Sequence, residues 1–267
     1  MSMGKKKAKT RPEIPKELDL SPAMQALLEE AYTLFNCDLH FPLTLCTCPV
    51  CISEENLRAL QTIPVRELSE VLIYEYLNAV VNKSDDDYQI RHFLPRILEM
   101  IAHYIEIRVD DSLNLDRCHF ESDSWKPQEL DFMRRFSRQF ILDTINFRPS
   151  QADGVAVYLV MFDLAGLETS HLLDKSLWLE EADPIKALLA LDEIYYYYTK
   201  DYAHFDYIFS DNPTFNQQMT DWLNSRELAQ GFFPILENVL LSEEEITTTE
   251  DCRLEQLYQI FESRIEV

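Results

Sequence analysis

The stretch SQADGVAVYLVMFDLAG, residues 150–166, decides between a helical fold and a fold that contains a sheet. Its apolar run Val155–Phe162 has the length and the β-branched content of a buried strand, and periodicity alone does not separate such a strand from a buried helix. The flanking residues favour a helix. Ser150 and Asp153 have the spacing of a capping box, and Gly166 stands where a helix commonly ends in a left-handed glycine. We therefore predict a buried helix.

The composition of the rest of the chain also favours helices. Only four of its 267 residues are glycine and no Asn-Gly pair is present, so hairpin turns have few places to form. Helix start signals occur at Ser21 and at Ser53. We predict an all-α fold of about nine or ten helices with irregular connections. The predicted domains are a flexible basic arm at residues 1–18 and a helical domain at 19–267, with room for a subdivision near residue 148.

A regular pattern of apolar residues begins shortly after Asp183. These residues recur in steps of three and four, as they do along one face of a helix. They are Leu188, Leu191, Tyr195, Tyr198, Tyr202, Phe205 and Phe209. The pattern predicts a helix that buries these side chains. Tyr196, Tyr197 and Tyr207 fall outside the pattern, so we expect them to be exposed among neighbouring carboxylates.

The charge of the chain is strongly negative. Its formal net charge is −23. The five basic residues at positions 1–11, where no acidic residue occurs, leave 19 basic against 47 acidic residues in the rest of the chain, a balance of −28. Such a charge repels nucleic acid and anionic membranes and suits a partner with a basic face, although it also serves solubility. The arm lacks the apolar region of a secretory signal, and no apolar run reaches membrane-spanning length. We expect a cytoplasmic protein with reduced thiols.

Three short motifs between residues 48 and 96 occur in the same order as in a known family. They are Cys48-Pro49-Val50-Cys51, Pro64-Val65-Arg66-Glu67-Leu68 and His92-Phe93-Leu94-Pro95-Arg96, followed by the weaker block Trp125-Lys126-Pro127 with Glu129. This pattern resembles an uncharacterised bacterial protein family in which the His-Phe-Leu-Pro-Arg motif opens a helix. The resemblance groups the chain with that family and implies no activity.

Three of the six cysteines lie within six positions, at Cys46, Cys48 and Cys51. A turn that presents three thiols just before a helix is suited to zinc, which takes four such ligands in a structural site. We predict that His92 supplies the fourth ligand, and the rival candidates are His40, Cys37, Cys118 and His119. Two alternatives stay open: the cysteines are small buried residues of a turn, or Cys48 and Cys51 form a redox dithiol.

Basic residues also gather near these motifs, at Arg66, Arg91 and Arg96. In so acidic a chain they form either a site for an anionic ligand or ion pairs that tie helices together.

The sequence favours a non-enzymatic protein that binds a basic protein partner, as an inhibitor or immunity-type protein does, and that contains a candidate structural zinc. The expected contact residues are Asp192, Tyr196, Tyr197, Asp206 and Tyr207, because tyrosine among carboxylates suits such an interface. Packing within the domain is the competing explanation for these tyrosines. The alternative function is a metal-dependent enzyme that uses Cys46, Cys48 and Cys51 with His92.

Overall fold

The computed structural model describes residues 19–39, 43–46, 48, 51–80, 86–198, 204–242 and 251–266. Within these ranges the chain is all-α, as predicted, and contains no β-strand. The predicted basic arm lies outside the described residues. The ten α-helices of the described residues are α1 (Pro22–Leu34), α2 (Glu54–Thr62), α3 (Glu70–Asn78), α4 (Asp86–Ala102), α5 (Pro127–Phe147), α6 (Val155–Leu164), α7 (Pro184–Tyr195), α8 (Pro213–Leu223), α9 (Arg226–Leu241) and α10 (Asp251–Ile265).

Four shorter turns complete this description. Three are 3₁₀ turns, at Val65–Glu67, Asp111–Leu113 and Ser170–Leu172, and Ser176–Glu181 forms a π-helical turn. No helix of the described ranges combines the length and the apolar character needed to cross a membrane.

The ambiguous apolar run is the helix α6. All eight residues from Val155 to Phe162 are buried, which explains why the run has no polar face from which its period could be read. At its C-terminal end Gly166 has a φ of 78°, and the N–H groups of Gly166 and Leu167 donate to the carbonyls of Asp163 and Phe162. This paired arrangement is a Schellman motif, so the C-terminal signal was read correctly. The N-terminal signal was not, because Gly154 is the N-cap and Ser150 lies in the preceding turn.

The core is built around the 21-residue helix α5. The ring of Phe140 on α5 meets the ring of Tyr158 on α6 edge to face, with centroids 5.0 Å apart, a favourable aromatic geometry. Buried side chains from both sides of residue 148 belong to a single hydrophobic core. Burial of this apolar surface is the main force that holds the helices together.

The regular pattern after Asp183 does not continue as one helix. Helix α7 ends at Tyr195, and Tyr198 forms a single antiparallel bridge with Phe205, so the chain turns back on itself. Tyr198 and Phe205 are buried nonetheless. The spacing therefore predicted the burial of the described residues as far as Phe205 and was wrong for Phe209, which is 39% exposed. It was also wrong about the backbone, since two segments that face the same core can imitate a helical period. Tyr202 lies outside the described residues.

The His92–Arg96 motif lies in the middle of α4 and does not open it. The helix begins at Asp86, and Pro95 stands inside it. Phe93 and Leu94 are both fully buried, so the motif contributes to the core. A proline within a helix removes one backbone hydrogen bond, and tertiary packing has to compensate for that loss.

Candidate metal centre

The three clustered cysteines lie on a backbone turn that leads into α2. The carbonyl of Cys48 accepts hydrogen bonds from the N–H groups of Cys51 at 3.0 Å and Ile52 at 3.3 Å, which closes the turn. Ser53 then caps α2, because its side chain accepts from the N–H of Asn56 at 3.1 Å. Ile52 is buried and anchors the turn to the core. Local hydrogen bonding therefore orients the two thiols of the Cys-Pro-Val-Cys stretch.

A second contact attaches this turn to the end of α3. The N–H of Cys46 donates to the carbonyl of Val80 at 2.8 Å. The N–H of Val80 in turn donates to the sulfur of Cys51. Backbone N–H groups that point at sulfur stabilise the thiolate form, which is the form that binds metals. Val80, the second residue after α3, therefore takes part in the site although it carries no ligand.

The three sulfur atoms converge. The Sγ atoms of Cys46, Cys48 and Cys51 all lie within 4.8 Å of one another, and the cluster could hold a metal ion. Zinc–sulfur bonds of about 2.3 Å in a tetrahedral site place two sulfurs about 3.8 Å apart, so little movement separates this arrangement from a bound one. Cys48 is exposed and the other two are half-buried, so an ion can reach the cluster from solvent.

The electrostatics of the cluster favour a cation. The hydrogen bond from the Val80 N–H lowers the pKa of Cys51, but the neighbouring thiols of Cys48 and Cys46 together with burial outweigh it and raise the pKa overall. Three thiols this close do not ionise together without a positive charge between them. A divalent cation removes that penalty, and the protons are released as it binds. No disulfide joins Cys37, Cys46, Cys48, Cys51 and Cys118, the cysteines whose side chains the structure describes.

The structure does not bring His92 into the cluster. Its Nδ1 is 2.7 Å from the carbonyl of Cys37, and its ring packs on Phe93. In the described part of the chain no fourth ligand atom from His, Cys, Asp or Glu lies within 4.8 Å of all three sulfurs. His92 instead fixes the segment that follows α1 to α4, through the carbonyl of Cys37. The His92 motif therefore serves the packing of these helices and does not complete the cysteine site.

The rival fourth ligands have separate places. Cys118 is fully buried, and its carbonyl accepts from Trp125 Nε1 at 2.9 Å. His119 is exposed, with Nδ1 3.6 Å from a carboxylate oxygen of Glu121. His40 lies outside the described residues.

The arginines near the motifs are each paired with a carboxylate. Arg66 holds Glu29 through two hydrogen bonds of 2.8 Å. Arg96 lies 2.6 Å from Glu99 and also donates to the Leu68 carbonyl at 2.9 Å. The first pair links the turn at Val65–Glu67 to α1, and the second lies within α4. They leave neither guanidinium as an open anion site.

Arg91 is placed in a different environment. Its Nε lies 3.5 Å from the buried carboxylate of Glu129, and its guanidinium lies over the ring of Trp125 at 4.4 Å. One amino group donates to the Ser124 carbonyl at 2.9 Å. The arginine therefore joins α4 to the start of α5. Arg66 and Arg91 thus form ion pairs between packed elements, whereas Arg96 pairs with Glu99 within α4.

The predicted contact residues divide between surface and core. Tyr196 is 73% exposed and Asp206 is also exposed, whereas Tyr207 is only 6% exposed, contrary to expectation. Burial and the nearby carboxylate of Asp110 raise the pKa of Tyr207. Asp192 is mostly covered because it pairs with Arg253 at 2.7 Å. Tyr207 is buried because the chain reverses after α7 and carries this ring back against the domain.

Tyr197 lies between the exposed Tyr196 and the buried Tyr207. It is half-buried, and its ring lies 5.4 Å from that of Tyr196 and 5.0 Å from that of Tyr207. The exposed apolar residues of this region include Ile208 at 87%, which was not among the predicted contacts, and Phe209 at 39%, which the three-four pattern had predicted to be buried. Their position directly after Asp206 and Tyr207 was visible, but their exposure depends on the reversal of the chain. We call Tyr196, Asp206, Ile208 and Phe209 the tyrosine face.

Fold and cluster together define the class of the molecule: an all-α protein with a three-cysteine candidate metal centre. Comparisons of the chain with protein-family models, with curated proteins and with solved structures found no match. The resemblance carried by the motifs at residues 48–96 therefore stays a prediction.

Proposed function

We propose that this chain is a non-enzymatic binding protein for a basic protein partner, and that a structural zinc ion on Cys46, Cys48 and Cys51 stabilises its N-terminal part. The convergence of the three Sγ atoms within 4.8 Å carries the zinc proposal. Thiolates are soft ligands, and zinc is the metal that structural cysteine clusters most often take. A structural role fits because the cluster links the turn before α2 to Val80, just beyond the end of α3.

Metal analysis of the purified protein tests this proposal. Purification under reducing, chelator-free conditions should give about one zinc per chain. Replacement of Cys48 and Cys51 by serine should abolish zinc binding. The matched control is Cys118→Ser, which changes a cysteine outside the cluster and should retain the zinc. Absence of zinc from the wild-type protein, or its retention by the double variant, refutes the proposal.

The alternative function, a metal-dependent enzyme that uses the cluster with His92, predicts a different result. His92→Ala would then remove the metal or an activity that depends on it. Because His92 Nδ1 is directed to the Cys37 carbonyl, we expect His92→Ala to leave the zinc content unchanged. A loss of zinc in this variant would favour the enzyme.

The tyrosine face favours the partner-binding part of the proposal. Tyr196 and Ile208 are large exposed side chains, and Asp206, two residues before Ile208, is exposed as well. An apolar centre with an acidic edge is complementary to a basic protein surface, and tyrosine provides contact area at low entropic cost. An inhibitor or immunity-type protein acts by covering a basic surface in this manner.

Affinity capture from the native host, with wild-type protein and the Tyr196→Ala/Asp206→Asn variant in parallel, tests the binding proposal. We expect a stoichiometric basic protein on the wild type and much less on the variant. Association should also slow as salt is raised, because salt screens long-range attraction. A partner that is acidic, or that binds both proteins equally, would contradict the proposal.

A further inference from the structure

The three thiols of the cysteine cluster differ in their access to solvent. Cys48 is exposed, whereas Cys46 and Cys51 are half-buried. A small oxidant that arrives from solvent therefore meets the sulfur of Cys48 first. The two other sulfurs lie within 4.8 Å of it, so a small movement brings a second sulfur to bonding distance.

The backbone selects Cys51 as the partner of Cys48. The N–H of Cys51 donates to the carbonyl of Cys48 at 3.0 Å, so the two residues close one turn. A turn of this kind holds its first and fourth Cα atoms within about 7 Å, and disulfides join Cα atoms that are about 4.4–6.8 Å apart. Cys46 is held at the end of α3 instead, because its N–H donates to the carbonyl of Val80 at 2.8 Å. The geometry therefore favours a disulfide between Cys48 and Cys51.

We propose that the cluster is an oxidation-sensitive switch, in which a peroxide joins Cys48 to Cys51 and thereby releases the zinc ion. The inference rests on the proposed function, because it assigns a regulation to the same site. A bound zinc ion keeps its cysteine ligands as thiolates, the form that peroxides oxidise. The disulfide removes two of the three sulfur ligands, and Cys46 alone does not form a zinc site.

The reaction balances with a peroxide as the oxidant. The Cys48 thiolate attacks one peroxide oxygen, an S–O bond forms, the O–O bond breaks, and the hydroxide that leaves takes a proton from solvent to become water. The Cys51 thiolate then attacks the sulfur of this sulfenic acid. The S–S bond forms, the S–O bond breaks, and a second hydroxide leaves and is protonated to water. Two electrons have then passed from the two thiolates to the peroxide.

Loss of the ion loosens the connection between the turn before α2 and the end of α3. In the zinc form, metal–sulfur bonds add to the backbone contacts that Val80 makes with Cys46 and Cys51. After oxidation only contacts within the chain remain. The change is reversible, because a thiol reductant attacks the disulfide, becomes oxidised itself and restores both cysteine thiols.

Treatment of the zinc-loaded full-length protein with hydrogen peroxide tests the inference. The remaining thiols are blocked with N-ethylmaleimide, and the disulfide is then reduced and alkylated with iodoacetamide, so that tandem mass spectrometry identifies the joined cysteines. We expect the second label on Cys48 and Cys51 and the first label on Cys46. About one zinc ion should be released per disulfide, and dithiothreitol with added zinc should restore the starting protein.

Two matched variants test the choice of partner. Cys46→Ser and Cys51→Ser each remove one half-buried thiol of the cluster, so both weaken zinc binding. Cys46→Ser should still form the disulfide, whereas Cys51→Ser should lose thiols to disulfide at least about tenfold more slowly. Cys37→Ser, which removes a half-buried thiol outside the cluster, should behave as the wild type. Equal rates in the two cluster variants would overturn the assignment of Cys51.

The results on the wild type separate the switch from the zinc site, and they do not depend on the folding of any variant. Zinc-loaded protein that forms no disulfide, or that joins Cys46, overturns the switch and leaves the zinc proposal standing. A disulfide between Cys48 and Cys51 that forms while zinc stays bound also overturns the switch. A wild-type protein that never binds zinc refutes both.

Discussion

Replacement of Gly166 by alanine should destabilise the protein in two ways, through an unfavourable backbone conformation and through a steric contact with Glu121. The residue has a φ of 78°, and an L-residue in this left-handed conformation costs roughly 1–2 kcal/mol. A Cβ at this position would also lie 1.6 Å from Glu121 Oε2 and 3.1 Å from the Glu121 backbone nitrogen. The carboxylate is exposed and can rotate away, whereas the backbone has to shift by a few tenths of an ångström. We expect a total loss of about 2 kcal/mol, of which the conformation supplies the larger part.

Urea denaturation followed by circular dichroism measures this loss, and a double variant divides it. Glu121→Ala alone should be nearly neutral, because the side chain is exposed. Combined with Gly166→Ala it should recover the steric part and leave the cost of the positive φ. If Gly166→Ala unfolds at the same urea concentration as the wild type, the left-handed end of α6 is refuted. If the double variant is no more stable than Gly166→Ala, the contact with the Glu121 side chain has no weight.

Three further predictions concern titration, burial and metal. Burial, reinforced by the charge of Asp153, raises the pKa of Asp111 to about 6. The protonated carboxyl therefore favours folding at low pH, and this stability is lost as the pH rises from about 4 to 6. Asp111→Asn should raise the free energy of unfolding by up to about 3 kcal/mol at pH 7 and by almost nothing at pH 4, as measured by urea denaturation at both pH values. Tyr207→Ala should cost about 3 kcal/mol and Tyr196→Ala less than about 0.5 kcal/mol in the same assay, because only the first ring is buried. Removal of zinc by a chelator should increase amide exchange in α2 and α3 and leave the centre of α5 protected; uniform exchange in all three helices would contradict the position of the site.

Helix type and several helix ends could be predicted because their signals are local. Ser21 and Ser53 accept hydrogen bonds from the first turns of α1 and α2, and Gly166 ends α6 with positive φ, all within a few residues of the signal itself. The Ser150 signal failed for an equally local reason. Gly154 is closer to the first helical residue, and it takes the N-cap position.

The path of the chain after α7 could not be predicted in this way. The three-four spacing continues through Tyr198 and Phe205, yet the two residues face each other across a bridge. Spacing records which residues are buried, and burial comes from packing against distant elements. The hydroxyl of Tyr198 lies 3.3 Å from the carbonyl of Thr220 on α8, a contact that the sequence does not show.

In the candidate site, too, the features set by local spacing could be predicted and those set by tertiary packing could not. The convergence of Cys46, Cys48 and Cys51 follows from short spacing and a turn, so the sequence was sufficient to find it. The place of His92 depends on how α4 packs against the segment after α1, and the guess for the fourth ligand was wrong. A groove around Asp163 escaped notice for the same reason, because its walls come from three separate parts of the chain, at residue 121, residues 163–169 and residues 211–218.

X-ray absorption at the zinc edge, on reduced protein purified without chelators, tests whether Cys46, Cys48 and Cys51 hold a zinc ion. We expect one zinc per chain with three sulfur neighbours at about 2.3 Å and one nitrogen or oxygen neighbour at about 2.0–2.1 Å. In Cys48→Ser/Cys51→Ser the sulfur signal should disappear together with the metal, and in Cys118→Ser it should be unchanged. A wild-type protein without metal, or a zinc ion with no sulfur neighbours, would contradict a zinc site on the three cysteines.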